Sequence, residues 1–171
     1  MSPRLPHPLR ALALAAGLAL TALSATAAEA ASAKPEGSFL ACDLPGEVKQ
    51  MNEVRGTIVG DIRHHTASTS VDGAQLSITA TELPTFVTTV TTDNMIYRKA
   101  RGELLKNFSG TSKSWGSCTH AGYECRSLRY TAGDGREGLA RFYLHGDVLV
   151  IVNAVYADDD APAKRFLASV Q

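Results

Sequence analysis

Along the chain the apolar residues change period several times, and each change predicts an element. Val148-Leu149-Val150-Ile151-Val152 is apolar at every position. A strand with one wet face alternates, so an unbroken run predicts a strand covered on both faces and central to its sheet. Just upstream the pattern does alternate. Ala140, Phe142 and Leu144 face one way; Leu139, Arg141 and Tyr143 face the other. His145-Gly146-Asp147 is the turn between the two strands. Downstream, Ala163, Phe166, Leu167 and Val170 recur at helical spacing. They predict a closing helix, with Asp158 to Asp160 supplying its N-cap and Pro162 in its first turn.

Earlier in the chain the same reading gives a strand at Ser38 to Asp43, ended by Leu44-Pro45-Gly46. Glu47 to Met51 reads as a brief edge piece. Gly56 to Thr66 reads as a strand, with Ile58, Ile62 and His64 on one face and Val59, Asp61, Arg63 and His65 on the other. Asp72-Gly73 is a two-residue turn. Leu76, Ile78 and Ala80 then alternate with Ser77, Thr79 and Thr81 until Leu83-Pro84 breaks the strand. Thr85 to Thr92 mixes strand-forming residues with helical spacing at Phe86, Val87 and Val90, and is read as irregular or as a short turn of helix. Thr92 or Asp93 caps a helix whose apolar stripe is Ile96, Tyr97, Ala100, Leu104 and Phe108, with Gly110 as its stop. Lys113 to Thr119 and Tyr123 to Thr131 make a hairpin. Links between strands after this helix are all short, which predicts antiparallel pairing. A doubly covered central strand then requires the first and last helices to lie on opposite sides of the sheet. The expected fold is α+β: an antiparallel sheet of about six to seven strands flanked by two helices, an α/β/α sandwich.

Composition changes the picture at the N-terminus. Arg4 and Arg10 precede an apolar run from Ala11 to Ala27, followed by Ala25-Thr26-Ala27 and Ala28-Glu29-Ala30 as small-residue cleavage options. That is the layout of a secretory signal peptide. We expect residues 1–28 to be a signal peptide, 29–37 a flexible lead-in and 38–171 a single α+β domain. The expected location is periplasmic or secreted. With 17 basic and 17 acidic residues, net charge gives no case for nucleic acid or an anionic membrane surface. No later segment reaches the roughly 20 apolar residues of a spanning helix.

Export permits disulfides. Cys118 and Cys125 lie directly opposite in a hairpin centred between Ala121 and Gly122, so a bridge is expected there. Cys42 is left over, within an apolar run that would raise its pKa, and reads as a buried free thiol. His64-His65 invites a metal, but neighbours on a strand point to opposite faces and cannot chelate one ion together. Whether His64, His65, His120 or His145 binds anything is not legible. Asp158-Asp159-Asp160 lacks the glycine and distal glutamate of a calcium loop. No nucleophile elbow, zinc-protease, phosphate-loop or dinucleotide motif is present. The expectation is no enzyme and no cofactor. Arg98, Lys99, Arg101, Lys106 and Lys113 put five positive charges on and just after the first helix against Glu103 alone, and the first four make a candidate partner-binding face. Trp115, Tyr123 and Tyr130 read as core packing.

The layout resembles the PsbP-like fold and exported bacterial proteins of unknown function that share it. The resemblance rests on Phe39 with Pro45, Gly60, Leu83-Pro84, Gly135-Arg136-Glu137, Arg141-Phe142-Tyr143-Leu144 and Arg165-Phe166-Leu167-Ala168-Ser169. It implies an antiparallel sheet flanked by helices. The photosystem members of that fold act as accessory subunits that bind proteins without catalysis. The resemblance therefore implies an exported, non-catalytic module that binds a protein partner or assists an envelope assembly. The alternative is a carrier of a small molecule or lipid, with a pocket between the sheet and the first helix.

Overall fold

The computed structural model describes residues 30–171. The expected signal peptide lies outside the described residues. A seven-stranded antiparallel sheet is the frame. Its strands are β3 (Lys49–Thr57), β4 (Gly60–Val71), β5 (Ala74–Glu82), β6 (Thr111–His120), β7 (Tyr123–Thr131), β8 (Glu137–His145) and β9 (Val148–Tyr156), in the order β3-β4-β5-β9-β8-β7-β6. The predicted central strand is β9, fourth of seven. A second, two-stranded sheet pairs β1 (Ala30–Ala33) with β2 (Cys42–Pro45). The helices are α1 (Thr85–Val90), α2 (Asp93–Asn107) and α3 (Ala161–Ala168).

Each face of β9 is covered by a different layer. Val150, Val152, Ala154 and Tyr156 join Leu76, Ile78 and Ala80 in a core closed by Phe166 and Leu167 of α3 and by Cys42 and Leu44 of β2. Leu149 and Val155 join Leu128, Tyr130, Ala140 and Phe142 in a second core, closed by Ile96 and Tyr97 of α2. The sheet thus separates α2 from α3, as the unbroken apolar run requires. The second core holds a buried polar pair. Tyr130 is fully buried, and its hydroxyl donates to Oδ1 of Asn153 at 2.9 Å. Gly138 makes room for that ring, since a Cβ there would stand 2.2 Å from it. Burial pushes the Tyr130 phenol up to about 12, so it stays a neutral donor.

Several boundaries differ from the reading of the sequence. The segment read as a flexible lead-in contains β1, and Ala33 is buried against the core. The first predicted strand begins instead at Cys42 and leaves the main sheet to pair with β1. Its place in the sheet is taken by β3, a full nine-residue edge strand where a brief piece was expected. Ile58 and Val59, assigned to opposite strand faces, form the β3–β4 turn, and Ile58 is fully exposed there. β4 runs on through the Thr/Ser stretch, because Ala67 and Thr69 alternate inward against β2. Thr85 to Val90 is a helix. The Thr88 and Thr85 hydroxyls pin it to Asp147 in the β8–β9 turn and hold that carboxyl below its usual range. Helix α2 ends through Ser109 at φ 48°, so the left-handed residue is not Gly110. Gly110 is needed instead for its close approach to Tyr130, 3.0 Å from a Cβ placed there.

Burial separates the two isoleucines sharply. Ile78→Ala is expected to cost about 2–5 kcal/mol in urea unfolding, because Ile78 is fully buried on β5. Ile58→Ala is expected to stay within about 0.5 kcal/mol. Equal losses at the two positions would refute the assignment of core and turn.

Candidate functional site

Helix α2 starts after Thr92, which is extended and makes no side-chain capping bond, and its 15 residues carry an apolar stripe that packs on the sheet. Ile96 and Tyr97 hold its inner face, and the backbone N–H of Leu144 donates to the Tyr97 hydroxyl at 3.1 Å. Its outer face carries Met95, Arg98, Lys99 and Lys106, all exposed. Among the described residues, none of these three cations is in an ion pair. Gly102 lies among them with nothing within 4 Å of a Cβ placed there. Arg101, read as the fourth cation of this face, belongs elsewhere. It is half-buried with its guanidinium 5.3 Å from the centre of the Trp115 ring, and its Nε is buried without a partner. The helical turn between residues 98 and 101 rotates it toward the sheet, which linear spacing on a charge map does not show.

Exposed apolar residues adjoin this face in sequence. Phe86 and Val90, one turn apart on α1, and Met95 at the start of α2 are each more than half exposed, at 58, 62 and 59%. The sequence shows the helical spacing of Phe86 and Val90 but not that these side chains lie outside the core. Their i, i+4 spacing was the available signal.

The disulfide hairpin forms as expected. Cys118 and Cys125 are register partners across β6 and β7 and are bonded. Positive φ at Ala121 and Gly122 makes the tight turn between them. The hairpin and the start of α2 border an open groove of about 1040 Å³. Arg126 spans it, donating to Oδ1 of Asn94 at 3.0 Å, contacting Ser117 Oγ, and lying 5.9 Å from the Tyr97 ring centre. Thr92, Asp93, Ser117, Thr119 and Glu124 make its lining mainly polar. The interface of the sheet with α2 is filled by Leu128, Tyr130, Phe142 and Trp115, the last edge-on to Phe142 at 5.3 Å. Tyr123 packs on the other side of the sheet, 5.0 Å from Phe39 and 5.8 Å from His145.

The histidines go to separate places. His64 Nδ1 lies 2.9 Å from the Thr81 hydroxyl, and burial lowers its pKa. His65, on the opposite face, bonds Asn52 at 3.1 Å. His120 lies 3.4 Å from the Tyr143 hydroxyl, with its pKa also lowered by burial, and His145 packs tilted against Phe39, 5.4 Å between ring centres. Among the described residues no three of His, Cys, Asp and Glu gather into a metal-sized cluster. Cys42 is fully buried, and burial, then the neighbouring Asp43, pushes its thiol up to about 12. In the acidic run, Asp160 pairs with Lys164 at 2.6 Å and Asp159 accepts the Ala161 N–H at 2.9 Å, so these groups serve the start of α3. No helix among the described residues is long and apolar enough to cross a membrane.

Comparison with known proteins places the fold. No family model and no curated protein sequence matches the chain. The solution structure of cyanobacterial PsbP (CyanoP) from Synechocystis sp. PCC 6803 matches with a TM-score of 0.55 at 13% identity, covering 86% of this chain and 95% of that one. A Pseudomonas aeruginosa protein of unknown function, described as a putative regulator, matches at a TM-score of 0.36 and 10% identity, over 82% of this chain and 95% of the other. The chain has a PsbP-like fold, as its short motifs suggested.

The cysteine assignments are open to direct measurement. Peptide mapping without reductant is expected to recover the Cys118–Cys125 link, with Cys42 resisting alkylation at pH 8 until the protein is unfolded. Breaking the link by Cys118→Ser with Cys125→Ser should cost about 2.5 kcal/mol on the loop-entropy model. Free Cys118 and Cys125 thiols, or a Cys42 that alkylates in the folded state, would contradict these assignments.

Proposed function

We propose that this protein is an exported, non-catalytic module that docks an acidic partner protein on the outer face of α2 and the adjoining α1. The observation that carries this reading is the surface itself. Arg98, Lys99 and Lys106 are exposed cations on one helix face, and Phe86, Val90 and Met95 are large exposed apolar groups within a few residues of them. Scattered apolar residues on a surface need no explanation, but an apolar group beside unpaired cations is the composition of a docking face. The cations steer an acidic surface and fix its orientation, and the apolar side chains supply the area to be buried. Gly102 leaves a notch among the cations in which a partner can approach the helix backbone closely.

Export is supported by the signal-like N-terminal sequence and fits the disulfide hairpin. A non-catalytic role is supported by Cys42, whose buried free thiol is pushed up to about 12 and so stays protonated. The carrier alternative has less support, because the groove between the disulfide hairpin and α2 is open with a mainly polar lining and the sheet–α2 interface is filled.

The test is a crosslinking pull-down from the host's own envelope fraction, run in parallel with wild type and with Arg98→Glu, Lys99→Glu and Lys106→Glu combined. The expected outcome is an acidic protein recovered by the wild type, in falling amounts as salt rises, and bound at least about tenfold more weakly by the variant. Equal recovery by both proteins would remove α2 as the docking face.

A further inference from the structure

The sequence from Glu47 to Arg55 is complementary to its own reverse. Set antiparallel to itself about Met51, Glu47 meets Arg55, Val48 meets Val54, Lys49 meets Glu53, Gln50 meets Asn52, and Met51 meets Met51. Every position finds an opposite charge, a matching amide or a matching apolar group. Seven of these nine residues, Lys49 to Arg55, lie in β3.

β3 is the strand on which such a pattern can act. It is an outer strand of the seven-stranded sheet, and all nine of its residues are exposed. The two edges of the sheet are built differently. The ladder of β6 is interrupted between Ser112 and Ser114, with Lys113 at the irregularity, and the strand is stapled to β7 by the disulfide. A bulge discourages a further strand, and β3, which carries a lysine of its own at Lys49, has no bulge in its ladder. β3 contains no proline, and its ladder with β4 runs unbroken from Lys49↔Ser68 to Thr57↔Gly60. The hairpin closes over two residues, Ile58 and Val59, which makes Thr57↔Gly60 a hydrogen-bonded pair. Alternate residues therefore turn their N–H and C=O groups outward, and these are Gln50, Asn52 and Val54. They fall opposite one another, with Val48, in the self-paired register.

We propose that β3 is a homodimer interface, in which two copies of this chain pair antiparallel about a twofold axis at Met51 and continue the sheet from one molecule into the other. On the α2 side of the sheet, Met51 meets its own copy, flanked on each side by Lys49 against Glu53 and by Glu47 against Arg55 of the second copy. On the other side Val48 packs on Val54 and Gln50 meets Asn52. Cross-strand pairs of these kinds stabilise a ladder, and the symmetric interface makes each of them twice except the Met51 pair on the axis. Arg55 now contacts Glu53 of its own strand at 2.9 Å, but both groups are exposed, so the exchange to Glu47 of the second copy costs little. A twofold axis at Val54 also sets Glu53 against Arg55, but it places Lys49 against Val59 and Gln50 against Ile58. Charge selects the register at Met51.

The test uses the full chain, with light scattering after size exclusion and oxidative cross-linking of single cysteine variants. The expected mass is that of a dimer. Met51→Cys is expected to form a disulfide-linked dimer, because its Cα atoms face each other across a non-hydrogen-bonded pair at about 4.5 Å, within bonding range. Wild type is the control, since its free thiol, Cys42, is buried. Glu53→Lys opposes two like charges at each Lys49 and is expected to weaken the dimer at least about tenfold, and adding Lys49→Glu is expected to restore it. A chain that stays monomeric at the highest concentration it tolerates overturns the proposal. So does a dimer that Glu53→Lys leaves intact, or one that cross-links through Val54→Cys and not through Met51→Cys. Amides of β3 that become protected from exchange only when a different protein is added would assign the edge to a foreign strand and also overturn it.

Discussion

Everything in this fold depends on the pairing of β5 with β9. The main sheet consists of two meanders, β3-β4-β5 and β9-β8-β7-β6, and one ladder joins them, from Gln75↔Val155 to Glu82↔Val148. Within each meander neighbours in sequence are neighbours in space, so short turns set their register. The β5–β9 ladder has no such help. It closes across α1, α2 and three intervening strands, and the loop entropy of that closure must be repaid by burial. The repayment comes from Ile78 facing Val152 and Ala80 facing Val150, all fully buried on one side of the sheet.

The other side of the same ladder, where β5 presents Ser77, Thr79 and Thr81, carries a buried amide. Asn153 sits in the middle of β9, where an unpartnered amide would be costly, and the Tyr130 hydroxyl satisfies it. That bond needs the ring to lie flat over β8, and only a glycine at position 138 leaves the space. A residue on β7, one on β8 and one on β9 are thus interdependent. A one-residue slip of any of these strands would bury a different face and strand the amide. Polar specificity and apolar burial here enforce one register.

Uncovered surface is distributed as unevenly as the core. Layers of helix and small sheet cover the middle strands on both faces, whereas β3 and the outer side of α1 and α2 are left bare. The two bare regions differ in kind. The helical face offers side chains, cationic and apolar, and its specificity lies in charge. The β3 edge offers backbone groups in a fixed spacing. Neither is a cavity, and the groove between the disulfide hairpin and α2 is open and mainly polar.

What the sequence determined by itself is what local periodicity encodes. The unbroken apolar run of β9 announced a doubly covered central strand, and so placed α2 and α3 on opposite faces. The spacing of Cys118 and Cys125 about a tight turn announced the disulfide, and the alternation of β5 and β8 their buried faces. What periodicity could not encode was decided in three dimensions. A fully solvated strand such as β3 has no hydrophobic period, so its length was invisible, and it is defined only by the ladder that β4 provides. Ala30 to Ala33 has too little apolar surface to declare itself and is a strand because Cys42 to Pro45 lies beside it. Ile58 looked like a core residue and is a turn, since hydrophobicity states a preference for burial and only packing decides which residues obtain it. Arg101 looked like one cation among four until the helix rotated it onto Trp115. Charge and composition are properties of residues, whereas a face is a property of the folded backbone. The face that α2 presents was therefore only partly legible before the fold was known.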